Sequence, residues 1–171
     1  MRRLLLLRHG KSSWDTAGLA DLDRPLAPRG RRTAPLVAQL MVKRRWVPDL
    51  VFCSQAERVR ETWQLMAPLL GEQIPVKTLR TIYPGAPSRL LMTLRRAPDE
   101  AKTLLLIGHN PGLGALATSL CGAGSKKALA TMRTKFPTAG LAVIDFDLEQ
   151  WSDVTGGAGR LEAFVRPKDL D

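Results

Sequence analysis

Leu4-Leu5-Leu6-Leu7-Arg8-His9-Gly10-Lys11 is the stretch on which the reading of this chain turns. Four apolar residues in a row read as a short strand buried on both faces. The run stops abruptly at a cation, an imidazole and a glycine. A strand ending this way delivers two functional side chains to the edge of a sheet, and the glycine allows a sharp turn or a close approach to a ligand. An imidazole nucleophile for phosphoryl groups at His9, with Arg8 gripping their oxygens, is the chemistry this pairing suits.

The theme recurs downstream. Thr103-Leu104-Leu105-Leu106-Ile107 is a second buried run, and Gly108-His109-Asn110-Pro111-Gly112 follows it. Asn110 is a good N-cap and Pro111 a good first helical residue, which predicts a helix to about residue 122. Between the two runs, Leu50-Val51-Phe52-Cys53 reads as another buried strand. Ser54-Gln55-Ala56-Glu57 after it has capping-box spacing, Ser54 as N-cap and Glu57 at the third position. The helix it opens, to about residue 70, places Arg58 and Thr62 four apart on one face. The chain has only two histidines. Each directly follows a buried strand, at the end where open α/β sheets bind ligands.

Residues 12–23 are polar and irregular and read as a loop on the same side. Pro28 suits the first turn of a helix over 28–45, with Leu36, Val37, Leu40 and Met41 as its apolar stripe and Pro35 as a point where it kinks or starts late. Residues 76–79 form a further strand, Tyr83-Pro84-Gly85-Ala86-Pro87 a turn-rich loop, and 88–97 and 126–133 short helices. Residues 141–146 and 161–165 read as strands forming an antiparallel pair, with Gly156-Gly157-Ala158-Gly159 in the turn between them. Alternating short buried strands and helices imply an α/β fold: a three-layer αβα sandwich with a mostly parallel central sheet. With no repeat, linker or low-complexity segment, residues 1–171 form one domain.

The net charge is +10, and residues 1–48 supply +8 of it. A basic face of this kind suits an acidic protein, an anionic small molecule or nucleic acid, or simply a solvated helix. Scattered tryptophans and an aromatic content of 5% argue against a stacking platform for nucleic acid. Met1-Arg2-Arg3 before four leucines mimics a secretory signal, but Arg8 ends the apolar run well short of the ~7–15 residues required. No run approaches the ~20 apolar residues of a membrane span, so a cytoplasmic protein is expected. Cys53 and Cys121 lie in apolar surroundings without paired spacing and read as buried free thiols. Gly122-Ala123-Gly124-Ser125-Lys126 lacks the spacing of a phosphate-binding P-loop and reads as a turn.

LLLLRHGKSSWD, then DRPLAPRG, SQAERVRETW, LIGHNPGL and FPTAGLAVIDF, resembles the histidine phosphatase (phosphoglycerate mutase-like) superfamily, and within it the phosphohistidine phosphatase SixA branch. The likeness spans roughly residues 3–167. It implies a phosphoglycerate mutase-like fold and a phosphatase in which His9 becomes phosphorylated while Arg8, Arg58 and His109 form the phosphate pocket. Gly10, Lys11, Ser12 and Asn110 are further candidates for substrate binding. The chemistry is coherent in its own right: phosphoryl transfer spreads charge over three oxygens, which two guanidiniums can fork onto. His9 must be neutral to attack, its other nitrogen held by an acceptor such as a backbone carbonyl. His109 suits a hydrogen-bond donor to the phosphoryl group. No metal and no cofactor is required.

The chain departs from the wider superfamily in two places. Where mutases and many esterases of that superfamily carry asparagine on the phosphate, this chain has Asp15. The acidic proton donor expected after the third strand has no counterpart, since residues 79–90 contain no Asp or Glu. Asp15 and Asp23 remain as candidate acids. Ester hydrolysis needs an acid to protonate the leaving oxygen, whereas phosphohistidine leaves as imidazole. The expected substrate is therefore a phosphohistidine-bearing protein, for example a histidine phosphotransfer domain. A small phosphorylated molecule, cleaved by a phosphomonoesterase, is the alternative among enzymes. A non-catalytic phosphate-binding module is the alternative from another class.

Overall fold

Leu4 to Leu7 hold the centre of the sheet, each no more than 1% exposed. Leu4 and Leu6 enter one hydrophobic cluster, Leu5 and Leu7 another on the opposite face. Successive side chains of a strand point to opposite faces, so an unbroken apolar run requires cover on both. The computed structural model describes residues 1–170; Asp171, the last residue of the expected domain, lies outside the described residues.

In chain order the strands are β1 (Arg2–Arg8), β2 (Leu50–Ser54), β3 (Val76–Leu79), β4 (Thr103–Gly108), β5 (Cys121–Gly124), β6 (Leu141–Phe146) and β7 (Gly159–Val165). The helices are α1 (Pro28–Lys43), α2 (Glu57–Leu70), α3 (Pro87–Arg95), α4 (Gly112–Leu120) and α5 (Lys126–Thr134). The seven strands form one sheet in the order β3-β2-β4-β1-β6-β7-β5. Only β6 runs against the others, pairing antiparallel with β1 and β7. Helices α1 and α2 cover the face of Leu5 and Leu7; α3, α4 and α5, with Trp151, cover the other. This is the three-layer α/β sandwich with a mostly parallel sheet. No helix among the described residues is long and apolar enough to cross a membrane.

Three local expectations are corrected. In α1 the buried face is Gly30, Ala34, Val37, Ala38 and Met41, whereas Leu36 is exposed and Leu40 only half-buried. The small residues lie at helical spacing and bring the helix close to its neighbours; the helix passes through Pro35 without a break. Ser54 is not an N-cap. It is the last residue of β2, fully buried, and α2 starts after Ala56 with no side-chain cap. The third correction is α4, which ends at Leu120 rather than near 122. Cys121 to Gly124 then form an edge strand parallel to β7. A Cβ on Gly124 would lie 2.9 Å from the Leu161 carbonyl oxygen of β7, so glycine lets this edge strand lie close against its neighbour, a feature with no hydrophobic signature.

Candidate active site

Strand register builds the site. β4 lies between β2 and β1, with Arg8 opposite Gly108 and Cys53 opposite Ile107. Arg8, Gly108 and Ser54 therefore end three neighbouring parallel strands in one row. The next residues of β1 and β4 are the two histidines, whose ring centroids stand 5.2 Å apart at 58°.

His9 is held by its own loop. Its Nδ1 lies 2.7 Å from the Gly10 carbonyl oxygen, which can only accept, so Nδ1 carries the hydrogen and Nε2 of the neutral ring keeps its lone pair. The Gly10 N–H donates to Thr62 Oγ1 at 3.1 Å, and that hydroxyl donates to the Arg58 carbonyl at 2.7 Å. The four-residue spacing of Arg58 and Thr62 thus ties the start of α2 to the end of β1. Gly10 also packs against α1: a Cβ here would lie 3.1 Å from Gly30 Cα, and one on Gly30 would lie 2.3 Å from the Lys11 carbonyl oxygen.

His109 is held through Ser54, whose Oγ lies 2.8 Å from Nε2 and accepts the Ala56 N–H at 3.1 Å. Its Nδ1 faces Arg58 Nη2 at 3.5 Å. Arg58 donates from Nη1 to the Asp21 carbonyl at 2.6 Å and from Nη2 to the Asp21 carboxylate at 3.0 Å. Tyr83 donates its hydroxyl to the same carboxylate at 2.7 Å, and its ring stands edge-on to His109 at 5.2 Å. Arg24 completes the cluster, bonded to Asp21 at 3.1 Å and Ser12 Oγ at 2.9 Å with its guanidinium 3.5 Å from the Trp14 ring centroid. Arg8 donates to the Phe136 carbonyl at 3.1 Å. The Nε atoms of Arg8 and Arg58 are buried and unpartnered, as is that of Arg2 at the far end of β1.

These groups surround a cavity of about 320 Å³. Arg8, Lys11, Arg24 and Arg58 line it against a single carboxylate among the described residues, Asp21. Burial pushes the His9 imidazole down to about 3, against the pull of the Gly10 carbonyl, and His109 and Arg58 add to the depression. Burial and then Arg58 lower His109 to about 4. Asp21 moves the other way in charge: the Tyr83 hydroxyl above all, with Arg58 and Arg24, holds its carboxyl below the usual carboxylate range. Both rings are therefore neutral and Asp21 is ionised at neutral pH. Burial raises the Arg-independent thiol of Cys53 to about 12 and Cys121 to about 11, so neither thiol is poised as a nucleophile.

The structure brings Arg8, His9, Lys11, Ser12, Arg58, His109 and Asn110 to this cavity. Three of the further candidates are engaged elsewhere. Gly10 does not line it, and both its backbone groups are bonded. Ser12 is spoken for by Arg24, and Asn110 accepts the Gly114 N–H at 3.0 Å and donates to the Phe136 carbonyl at 2.9 Å. Asp15 and Asp23 are exposed and line no part of it; their stretch is turned so that Asp21 points at Arg58 instead. Sequence reasoning missed Ser54, Asp21, Arg24 and Tyr83. Ser54 had a signal, since it ends a buried strand as Arg8 and Gly108 do.

Residues 4–83 match the histidine phosphatase superfamily (branch 1). An uncharacterized protein of Mycobacterium tuberculosis is 36% identical over 164 residues, which cover 95% of this chain and all of that one. A crystal structure from Agrobacterium tumefaciens, provisionally named phosphohistidine phosphatase SixA, is 31% identical with a TM-score of 0.82, covering 97% of this chain and 98% of that one. The protein histidine phosphatase SixA complexed with tungstate shares the fold, with a TM-score of 0.80 at 22% identity over 99% of each chain. Likeness in sequence and fold from end to end has one meaning: this chain belongs to the histidine phosphatase superfamily.

Proposed function

We propose that this protein is a phosphatase of phosphohistidine-bearing proteins, with His9 as the nucleophile. The observation that carries this reading is the state of Asp21, the one carboxylate lining the cavity among the described residues, which is ionised and bonded to Tyr83, Arg58 and Arg24. An alkoxide leaving group needs a proton as it departs. The imidazole of phosphohistidine can carry that proton beforehand on its other ring nitrogen and leave neutral. A pocket with cations and no available acid therefore favours P–N over P–O bonds.

In the first step His9 Nε2 attacks phosphorus, a P–N bond to His9 forms and the P–N bond of the substrate breaks. The Gly10 carbonyl stabilises the ring through Nδ1–H as positive charge develops. Arg8 and Arg58 bind the equatorial oxygens, where preorganised donors stabilise the transition state. Arg58 can only donate, so His109 Nδ1 keeps its lone pair toward Nη2 and the ring hydrogen sits on Nε2, donated to Ser54 Oγ, which accepts the Ala56 N–H with its other lone pair. Through Nδ1 the neutral ring helps to hold the Arg58 guanidinium at the phosphoryl site. In the second step water attacks phosphorus, the bond to His9 breaks, and inorganic phosphate and a proton are released.

The test is a side-by-side assay of a peptide carrying phosphohistidine and a panel of phosphate esters, with acid quenching and base quenching of the labelled enzyme. Faster turnover of the phosphohistidine peptide and an acid-labile, base-stable phosphoenzyme lost in His9→Ala are expected. Faster turnover of esters would transfer the protein to the phosphomonoesterases. Phosphate binding that survives His9→Ala, with no turnover by the wild type, would make it a binding module.

A further inference from the structure

A second, larger depression adjoins the catalytic cavity. Its volume is about 680 Å³, and the two share Arg8, Lys11 and Thr138 along their common border. Six cations line it: Arg8 and Lys11 from the end of β1, Arg29 from the first turn of α1, Lys135 after α5, and Arg166 and Lys168 after β7. Among the described residues no Asp or Glu lines it. Arg166 is tied to Asp169 by two bonds of 3.0 Å, but Arg29, Lys135 and Lys168 enter no ion pair among the described residues. These cations come from segments far apart in the chain, so folding gathers charge here that the sequence scatters. Gathering unpaired like charges destabilises a fold, and a surface that does so without compensation suits an anionic partner.

The shape and lining select among anions. Among the described residues no aromatic side chain lines the groove, so nucleobases have nothing to stack on. Lys11, Arg29, Lys135 and Lys168 are exposed, on long flexible stems, rather than fixed as a cage around one tetrahedral ion. Ala130, Pro137 and Pro167 interleave with them as apolar patches. Exposed cations interspersed with apolar residues match carboxylates spaced along a polypeptide. We propose that this groove docks an acidic stretch of the substrate protein, flanking the phosphohistidine that enters the cavity beside it. The inference rests on the phosphohistidine reading of that cavity. Contacts of this kind act on encounter and on KM, and salt screens them.

The experiment uses two peptides with one phosphohistidine each, one flanked by Asp and Glu and the other by Ser and Asn, together with phosphoramidate as a small P–N donor. The variant is Arg29→Glu with Lys168→Glu, two exposed residues outside the catalytic cavity. A glutamate in the first turn of α1 also suits the helix dipole. Wild type is expected to prefer the acidic peptide by about tenfold or more in kcat/KM, through KM. Added salt should erode that preference and the double variant should abolish it, with phosphoramidate turnover unchanged. Equal use of the two peptides by wild type, or a preference that survives in the variant, overturns the proposal. Binding of the unphosphorylated acidic peptide, read by fluorescence anisotropy, separates the two readings. If wild type cleaves only esters yet binds this peptide and the variant does not, the groove stands and the phosphohistidine reading falls. Equal affinity for the neutral peptide, or tighter binding of a short DNA strand at the same site, overturns the groove.

Discussion

Asp21 occupies the guanidinium of Arg58, taking Nη1 on its backbone carbonyl at 2.6 Å and Nη2 on its carboxylate at 3.0 Å. The same arginine stands 3.5 Å from His109 Nδ1, so the carboxylate lies where it both positions Arg58 and opposes an entering anion. Asp21→Asn keeps the backbone carbonyl bond and an oxygen for Nη2 while removing the charge. Inorganic phosphate should then inhibit more tightly, by about threefold to tenfold at the effective dielectric of a protein surface. Unchanged or weaker inhibition would mean that the charge of Asp21 serves mainly to hold Arg58.

Ser54 and Arg58 together determine which nitrogen of His109 carries the proton. Ser54→Ala leaves Nε2 of a buried ring without its partner, at a cost of about 1–3 kcal/mol in stability. The turnover number should fall by about tenfold as the ring loses its orientation. Nitrogen chemical shifts of His109 should report a change of tautomer. A lower melting temperature with tautomer and kcat intact would reduce Ser54 to a packing role.

The depressed imidazoles set the pH dependence. With His9 at about 3 and His109 at about 4, both rings of the free protein stay neutral well below the ordinary histidine value of about 6.5. Values of kcat/KM should therefore show no loss from either ring between about pH 8 and pH 5, then fall as pH drops through 4. An enzyme-derived acid limb near pH 6.5 would contradict this. Stability follows the same groups. The unfolded chain binds protons near 6.5 that the native chain refuses until about 4 and 3, so unfolding free energy declines as pH falls through that window. Urea midpoints at successive pH values measure the decline.

Gly30→Ala tests the seat of the catalytic loop. The added Cβ would lie 2.3 Å from the Lys11 carbonyl oxygen and 2.9 Å from its nitrogen, so backbone must move. A loss of about 1–3 kcal/mol is expected, with lower turnover because Lys11 follows the His9 loop. Gly156→Ala, whose Cβ would meet nothing nearer than 3.5 Å, is the control. Equal melting temperatures and turnover for the two variants would refute the close-approach argument.

Much of the arrangement was legible because it is written in short-range pattern. Two buried runs ending in Arg-His-Gly and Gly-His, and an arginine four residues before a threonine, led to one cavity from three separate stretches. The same logic failed at Ser54, where capping-box spacing outvoted the simpler fact that the residue ends a strand. It failed at Asp15 and Asp23 because an irregular loop has no periodicity from which side-chain direction can be read. The edge strand Cys121–Gly124 escaped notice for a related reason: Cys-Gly-Ala-Gly has little strand propensity, and its pairing with β7 comes from backbone proximity.

By itself the sequence determined the layered α/β sandwich and the two imidazoles at strand ends, since apolar runs must be covered on both faces and a strand's end is a local property. Only the tertiary structure decided which carboxylate meets Arg58, which hydroxyl holds His109, and that cations from distant segments line a single groove. Those outcomes depend on strand register and loop path, which arise from contacts between residues too far apart in the chain for any local pattern to encode.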